Sequence, residues 1–286
     1  MQLLFDIGGT KSRLVVSRDG SALEQPRVIP TPQDFSVAVA SFSKIAKEMA
    51  GGARFQEIAG GVPGSLNREK TMLVRAPHLQ NWVGKPLREE LSKALGSDVV
   101  LENDAALCGL GEALKGAGRG MAIVAYLTVS TGVGGVRIVD GKIDRNTSGF
   151  EPGHQIIDVG GKACESCNVG EVGSVGHLEQ YVSGTNTQIR FGQSPGEIVN
   201  PAVWDELARF LAYGLNNTIL HWSPDIVVLG GSMIVKQNGI KVAKVAEHLK
   251  NILTIFPVLP EIRQAELGDL GGLWGALALL RQSKAR

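Results

Sequence analysis

The sequence predicts an α/β protein of two lobes, each a mixed sheet with helices packed on it. Three observations carry that expectation. The chain has 286 residues, more than one ordinary core needs and too few for three. Strand-like apolar runs alternate with amphipathic helical segments along its length. A strand, a glycine pair, an antiparallel strand and a turn open the chain and recur near its middle, which reads as an internal duplication.

The first lobe opens as a meander, with strands expected near Gln2 to Ile7, Lys11 to Ser17 and Leu23 to Ile29, and the turn Arg18-Asp19-Gly20 before the third. This is not the strand-helix-strand entry of a dinucleotide-binding fold. Asp34 is suited to cap a helix running to Met49; a short strand "EIAGGVPG", a helix from Lys85 to Leu95 and the strand "SDVVLEND" follow. A helix from Ala105 to Lys115 leads through "GAGRG" into the strand "MAIVAYLTVSTGVGG", which Gly132 to Gly135 are expected to end. "VRIVDGKI", with its Asp-Gly turn, makes the next hairpin. Val203, Leu207, Leu211 and Leu215 recur at helical spacing and mark a long helix ending near "HWSPD". "DIVVLGG" reads as a buried strand, Lys241 to Ile255 as an amphipathic helix, and "GDLGGLWGALALL" as a glycine-opened apolar helix. The lobes are expected to divide as 1–107 with 271–286, and 108–270.

Charge narrows the class of partner. A formal net charge of +1, with no run of five Lys or Arg, argues against nucleic acid and for a small molecule. The chain begins on the strand-like "QLLFDIGG" rather than a basic then apolar leader, and no uncharged apolar run of 18 residues follows. A soluble cytoplasmic protein with no membrane partner is therefore expected. Three cysteines do not make a disulfide scaffold, so a CxxC in a reducing compartment points to metal or redox chemistry.

In "FDIGGTKSRLVV" an acid, two glycines, a threonine and a lysine occupy a tight turn between two strands. Successive N–H groups in such a turn form an anion-binding nest, and Asp6 can hold Mg²⁺ directly or through water. An ordinary Gly-Gly hairpin would explain the glycines but neither the acid nor Thr-Lys. "STGVGG", Ser130 to Gly135, has the same relation to its own hairpin, and two nests suit a polyphosphate gripped across a cleft. Neither is a Walker loop, and GxGxxG is absent. At "LENDAALCGLGEA" a strand gives way to a helix; a carboxylate fixed there can take a proton from an attacking hydroxyl. Read alone, Asn103 or Asp104 would be a simple helix cap.

"DIGGTK", "GGVPG", "LENDAA", "STGVGG", "EPGH", "LEQYVSG" and "IVVLGGS" stand in the order and spacing of the ROK family of bacterial sugar kinases, which the chain resembles over nearly its whole length. The resemblance implies two actin-like, ribonuclease H-like lobes with a cleft between them, and ATP- and Mg²⁺-dependent phosphorylation of a hexose at its 6-hydroxyl. Asp104 is implied as the catalytic base. Gly64, Asn103, Glu151, His154 and Glu179 are implied as sugar ligands beside it. Asp6, Gly8, Gly9, Thr10 and Lys11 resemble the first phosphate motif, and Thr131, Gly132 and Gly134 the second. Gly230, Gly231 and Ser232 resemble the adenosine-side motif. Glucose is the expected hexose, with N-acetylglucosamine, N-acetylmannosamine and fructose as alternatives, and a homodimer is the expected assembly. The last helix is expected to pack on the first lobe. A non-catalytic sugar-binding regulator is the rival of another class; the family's repressors carry a winged helix before DxGGT, for which no room is expected here.

The sequence departs from the family pattern in the segment Glu151 to Gly184. The family's zinc motif, CxCGxxGC, is replaced by Cys164 and Cys167 in CxxC spacing, and its last cysteine by His177. His154, Cys164, Cys167 and His177 would still make a Cys₂His₂ set suited to structural Zn²⁺. The alternatives are a metal-free loop and a Cys164–Cys167 disulfide. Asn67, where an acid often follows the "VPG" turn, and Ala106, where asparagine is common, are smaller departures. Cys108 is expected to be a small buried residue, and His78, His221 and His248 to be ordinary surface or packing residues.

Overall fold

The computed structural model describes residues 1–160 and 175–283. The chain divides into two compact units, Met1–Gly111 with Arg145–Gly149 and Asp269–Arg286, and Glu112–Asp144 with Phe150–Gly268.

In the first unit β1 (Gln2–Ile7) and β2 (Lys11–Ser17) pair antiparallel across the glycine turn. The third strand, β3 (Arg27–Pro30), is shorter than expected. Pro26 has no N–H to offer a ladder, and Asp19 draws the preceding residues into a side-chain-capped turn by accepting from the N–H groups of Ser21 and Ala22. Helix α1 (Phe35–Ala50) starts where Asp34 accepts from Val37 N and stops at Gly51, whose φ of 58° suits glycine. β4 (Glu57–Val62), the small hairpin β5 (Ser65–Leu66) and β6 (Leu73–Arg75), α2 (Leu87–Leu95) and β7 (Val99–Asn103) follow. The sheet order is β3-β2-β1-β4-β7, with β1, β4 and β7 parallel. One face packs α1 and α2 through Phe42, Leu87 and Leu91 around Trp82.

Helix α3 (Asp104–Lys115) carries the chain across the division at Gly111 and Glu112. The second unit repeats the first in plan: β8 (Ile123–Val129), β9 (Val133–Val139) and β10 (Lys142–Ile143) form a meander. A two-stranded ribbon of β11 (Ile156–Asp158) and β12 (Gly176–His177) comes next, then α4 (Leu178–Val182), α5 (Gly184–Phe191) and α6 (Pro201–Trp222). β13 (Ile226–Gly230), α7 (Ser232–Val235), α8 (Val242–Ile252) and β14 (Glu261–Gln264) complete it. The order β10-β9-β8-β13-β14 has the same pattern of antiparallel and parallel pairs as the first sheet. The chain between β8 and β9 turns at Ser130 to Gly132, so Gly134 and Gly135 lie inside β9 rather than ending a strand. Gly135 is needed in the strand, because a Cβ there would stand 2.5 Å from Tyr126 O and 2.7 Å from Pro152 Cγ.

The chain then returns to the first unit as α9 (Gly271–Ser283). Leu273, Leu277 and Leu280 are buried there against Leu4, Val15 and Ala59. Each such leucine contributes about 1.5–3 kcal/mol. Among the described residues no helix is long and apolar enough to cross a membrane.

Candidate active site

Parallel pairing sets three strand ends of the first unit side by side. Asp6 is opposite Gly61, and Gly61 is opposite Glu102. The glycine turn after β1 and the Asn103–Asp104 corner after β7 therefore lie at the carboxyl edge of one sheet, where ligands of open α/β sheets bind.

The glycine turn is closed by Gly8 N donating to Lys11 O at 2.9 Å, so this N–H is not available to the expected anion nest. Thr31 Oγ1 donates to Gly8 O at 2.7 Å and Gln33 Nε2 to Gly9 O at 3.1 Å, which fixes both carbonyls. A Cβ on Gly8 would lie 2.9 Å from Lys11 O, and one on Gly9 would lie 2.6 Å from His78 Cβ. His78 thus packs on the turn, a role its sequence did not suggest. Asp6 is partly buried, and desolvation pushes its carboxyl up to about 6; Arg13 at 3.9 Å opposes the shift and Asp269 adds to it. Arg13 itself is held by Asp269 at 2.5 Å. Gly272 makes room beside Asp6, since a Cβ there would be 3.3 Å from the Asp6 carboxyl carbon and 3.5 Å from Cys108 Sγ. Cys108 is half-buried rather than buried.

At the other corner Asn103 is both cap and clamp. Its Oδ1 accepts from Ala106 N at 3.0 Å, and its Nδ2 donates to Gly64 O at 3.2 Å. Asp104 stands next to it on the first turn of α3, accepting from Ala105 N at 2.8 Å. A Cβ on Gly61 would stand 3.0 Å from Asp104 Cα, so the backbones of β4 and α3 meet closely there. Gly64 has φ 103°, and a Cβ on it would strike Arg75 O at 2.2 Å. Glycine is the residue that fits.

In the second unit the turn Ser130 to Gly132 is closed by Ser130 N donating to Gly132 O at 2.8 Å. The N-terminus of α5 holds it from outside, with Gly184 N on Ser130 O at 2.7 Å. Glu179 lies against the turn, accepting from Val133 N at 2.7 Å, with Oε2 only 2.6 Å from where a Gly132 Cβ would be. Ser130 and Ser232 share a hydroxyl hydrogen bond of 3.1 Å, which joins this turn to the Gly230–Ser232 motif. Gly231 has φ 88° and backs onto Val129 O. The structure therefore gathers Thr131, Gly132, Glu179 and Gly230 to Ser232, while Gly134 stands opposite Thr128 in the ladder.

Glu151 precedes the short 3₁₀ turn Pro152–His154 and His154 ends it, and both residues are exposed. The rings of His154 and His177 meet edge to face with centroids 5.9 Å apart. Cys164 and Cys167 lie outside the described residues. Among the described residues no group of three or more His, Cys, Asp or Glu is placed to hold a metal ion. Tyr181 donates to Asp158 at 2.8 Å; burial and that bond push its hydroxyl well above the usual range. His248 has a partner the sequence did not reveal, Asp205 at 3.2 Å.

The ROK family model matches residues 3–283. The chain belongs to the ROK family. Among curated relatives, a glucokinase of Thermotoga maritima is 33% identical over 184 residues, 63% of this chain and 56% of that protein. The chain thus spans little more than half the length of that relative. An N-acetyl-D-glucosamine kinase of Shigella boydii is 32% identical over 257 residues, 80% of this chain and 83% of that one. A ROK glucokinase from Streptomyces griseus, solved in complex with glucose and AMPPNP, superposes with a TM-score of 0.79 at 25% identity, covering 98% of this chain and 99% of that one.

Proposed function

We propose that this ROK protein is an ATP-dependent hexose kinase that phosphorylates glucose at the 6-hydroxyl, with Asp104 as general base. The observation that carries the reading is the shared sheet edge: the glycine turn after Asp6 and the carboxylate of Asp104 come directly after strands whose ends are in register. A phosphate site and a base for the accepting hydroxyl are what phosphoryl transfer requires of a protein. Gly8 and Gly9 keep the turn tight, with His78 packed against Gly9, and Asp6 offers a carboxylate at its base, a donor whose chemistry fits the Mg²⁺ of a nucleotide polyphosphate. Mg-ATP supplies the phosphoryl group and the cation that screens its charge. Thr10 and Lys11 complete the first phosphate motif, and Thr131, Gly132 and Ser232 belong to the nucleotide side.

Asn103 and Glu179 are read as sugar ligands, with Gly64, Glu151 and His154. Several carboxylates and amides can bind vicinal hydroxyls by charge-assisted hydrogen bonds. Asp104 takes the hydroxyl proton as the oxygen attacks, a contribution of about 10²–10⁴ in rate. Asp104→Asn should therefore lower kcat by that factor while hexose binding, followed by calorimetry, stays near the parent value. Retention of near-normal turnover by this variant would remove Asp104 from the role. The long alignment with the N-acetylglucosamine kinase favours a second reading, phosphorylation of an N-acetylated hexosamine. ADP release measured over a panel of glucose, N-acetylglucosamine, N-acetylmannosamine and fructose decides between them.

We read the protein as a cytoplasmic homodimer, to be checked by light scattering. A structural Zn²⁺ on His154, Cys164, Cys167 and His177 is proposed on the chemistry of the set, and the two imidazoles are already neighbours, with centroids 5.9 Å apart. Metal analysis should find about one zinc per chain and none in His177→Ala. A metal-free parent would sink this part alone.

A further inference from the structure

Three described residues other than glycine have a left-handed backbone: Lys70, Asp140 and Ser223. Asp140 lies in the tight Asp-Gly turn between β9 and β10, and Ser223 ends α6. Lys70, with φ 53°, stands in the β5–β6 loop at a position that glycine would occupy at less cost. The conformation is strained for a residue with a Cβ, and the side chain supplies a reason to bear it.

Lys70 Nζ donates to Glu102 Oε2. Glu102 is buried, its side chain 9% exposed, and it immediately precedes Asn103 and Asp104. Its other oxygen, Oε1, accepts from Asn103 N at 3.0 Å. The hairpin thus grips the corner twice, through Lys70 on Glu102 and through Gly64 O on the Asn103 amide. Asn67 makes the grip stiff. Its Oδ1 accepts from Thr71 N at 2.7 Å and Met72 N at 3.1 Å, and its Nδ2 donates to Thr71 Oγ1 at 2.9 Å. An acid at position 67 could accept the two backbone bonds but could not make that donation.

We infer that Lys70 is a positioning residue for the acceptor sugar, holding the buried Glu102 carboxylate so that Glu102 fixes the backbone of Asn103 beside the base. The inference rests on the proposed roles of Asn103 and Asp104. Without the ammonium, Glu102 remains a buried charge with half its partners, and it relaxes toward water at the expense of the Asn103 N–H. A small displacement of a substrate-holding group is costly, because geometry rather than new chemistry supplies much of the rate.

Three variants test this. Lys70→Gly relieves the backbone strain and deletes the ammonium, Lys70→Met keeps the stem without charge, and Lys70→Arg keeps the charge. The measurements are KM and kcat for the hexose that the parent phosphorylates best and KM for ATP, with thermal unfolding as the check on folding. The Gly and Met variants should unfold near the parental temperature, lose about ten-fold or more in kcat/KM for the hexose, and keep KM for ATP within about two-fold. Lys70→Arg should recover most of the loss. Parental kcat/KM for the hexose in a folded Gly or Met variant overturns the inference. So does an equal loss toward both substrates, which marks general disturbance. A parent that phosphorylates no hexose overturns the proposed function instead, so the two failures are distinct.

Discussion

Asp6 carries a cost that function can explain. Its carboxyl titrates near 3.8 when exposed and near 6 in the folded chain, chiefly because burial disfavours the charge. A raised acid pKa means that the folded form holds the proton more tightly, so stability falls as pH rises from about 4 to 6 and stays reduced above that. The shift is equivalent to about 3 kcal/mol. Asp6→Asn removes the cost without unpairing Arg13, which keeps Asp269 at 2.5 Å. In the metal-free protein with chelator, the variant should unfold near the parental temperature at pH 4.5 and several degrees above it at pH 7.5, while kinase activity is lost. A gap between variant and parent that does not widen with pH would refute the account. Stability given up at a carboxylate that must stay charged is the usual mark of a functional group.

At the scale of elements, periodicity and caps foretold most of what formed. Asp34 caps α1, the Asp-Gly turn closes β9 on β10, and the leucine spacing of α6 lies on its buried face. The misreadings came where a side chain or a proline outweighed strand propensity. Residues 23–26 read as a strand, but the regular ladder with β2 stops at Arg27, beside Pro26 with no N–H to give, and Glu24 N alone still donates to β2, to Val16 O at 2.9 Å. The glycines of "STGVGG" read as a strand end, yet Gly134 and Gly135 are strand residues whose missing Cβ atoms admit neighbouring chain. Candidate site residues could be named from the sequence because their motifs stand in a fixed order along the chain, with local chemistry that suits that order. Their tertiary supports could not. Arg13 is the cross-strand neighbour of Asp6 in the β1–β2 hairpin, but His78 on Gly9 and Lys70 on Glu102 are tertiary contacts between segments whose sequences carry no mutual period. Asn103 is the helix cap that local reasoning preferred, and its amide also donates to Gly64 O, a tertiary contact that no local pattern announces.

For the whole molecule the notable residue is Glu112, the first of the second unit and 2% exposed. Its carboxylate accepts from Ala117 N at 2.9 Å, Glu266 N at 3.2 Å and Leu267 N at 2.8 Å. The first is just past the end of α3, and the last two precede the point, Gly268 to Asp269, where the chain leaves the second unit for α9. One buried side chain thus ties together two of the places where the chain passes between units. Gly116 permits it, since a Cβ there would lie 2.0 Å from Glu112 Oε2. In Glu112→Gln one acceptor oxygen becomes a donor that faces backbone N–H groups, which leaves buried donors unsatisfied at about 1–3 kcal/mol. For a chain of this size that corresponds to a fall of roughly 2–10 °C in Tm. Lys115 at the end of α3 and Arg119 in the loop after it are both exposed. With Ala117 N released, trypsin should cut there faster than in the parent, giving fragments that begin near residue 116 or 120. Unchanged Tm and an unchanged digestion pattern would mean that the backbone at both crossings holds itself in place and that the carboxylate merely fills the space.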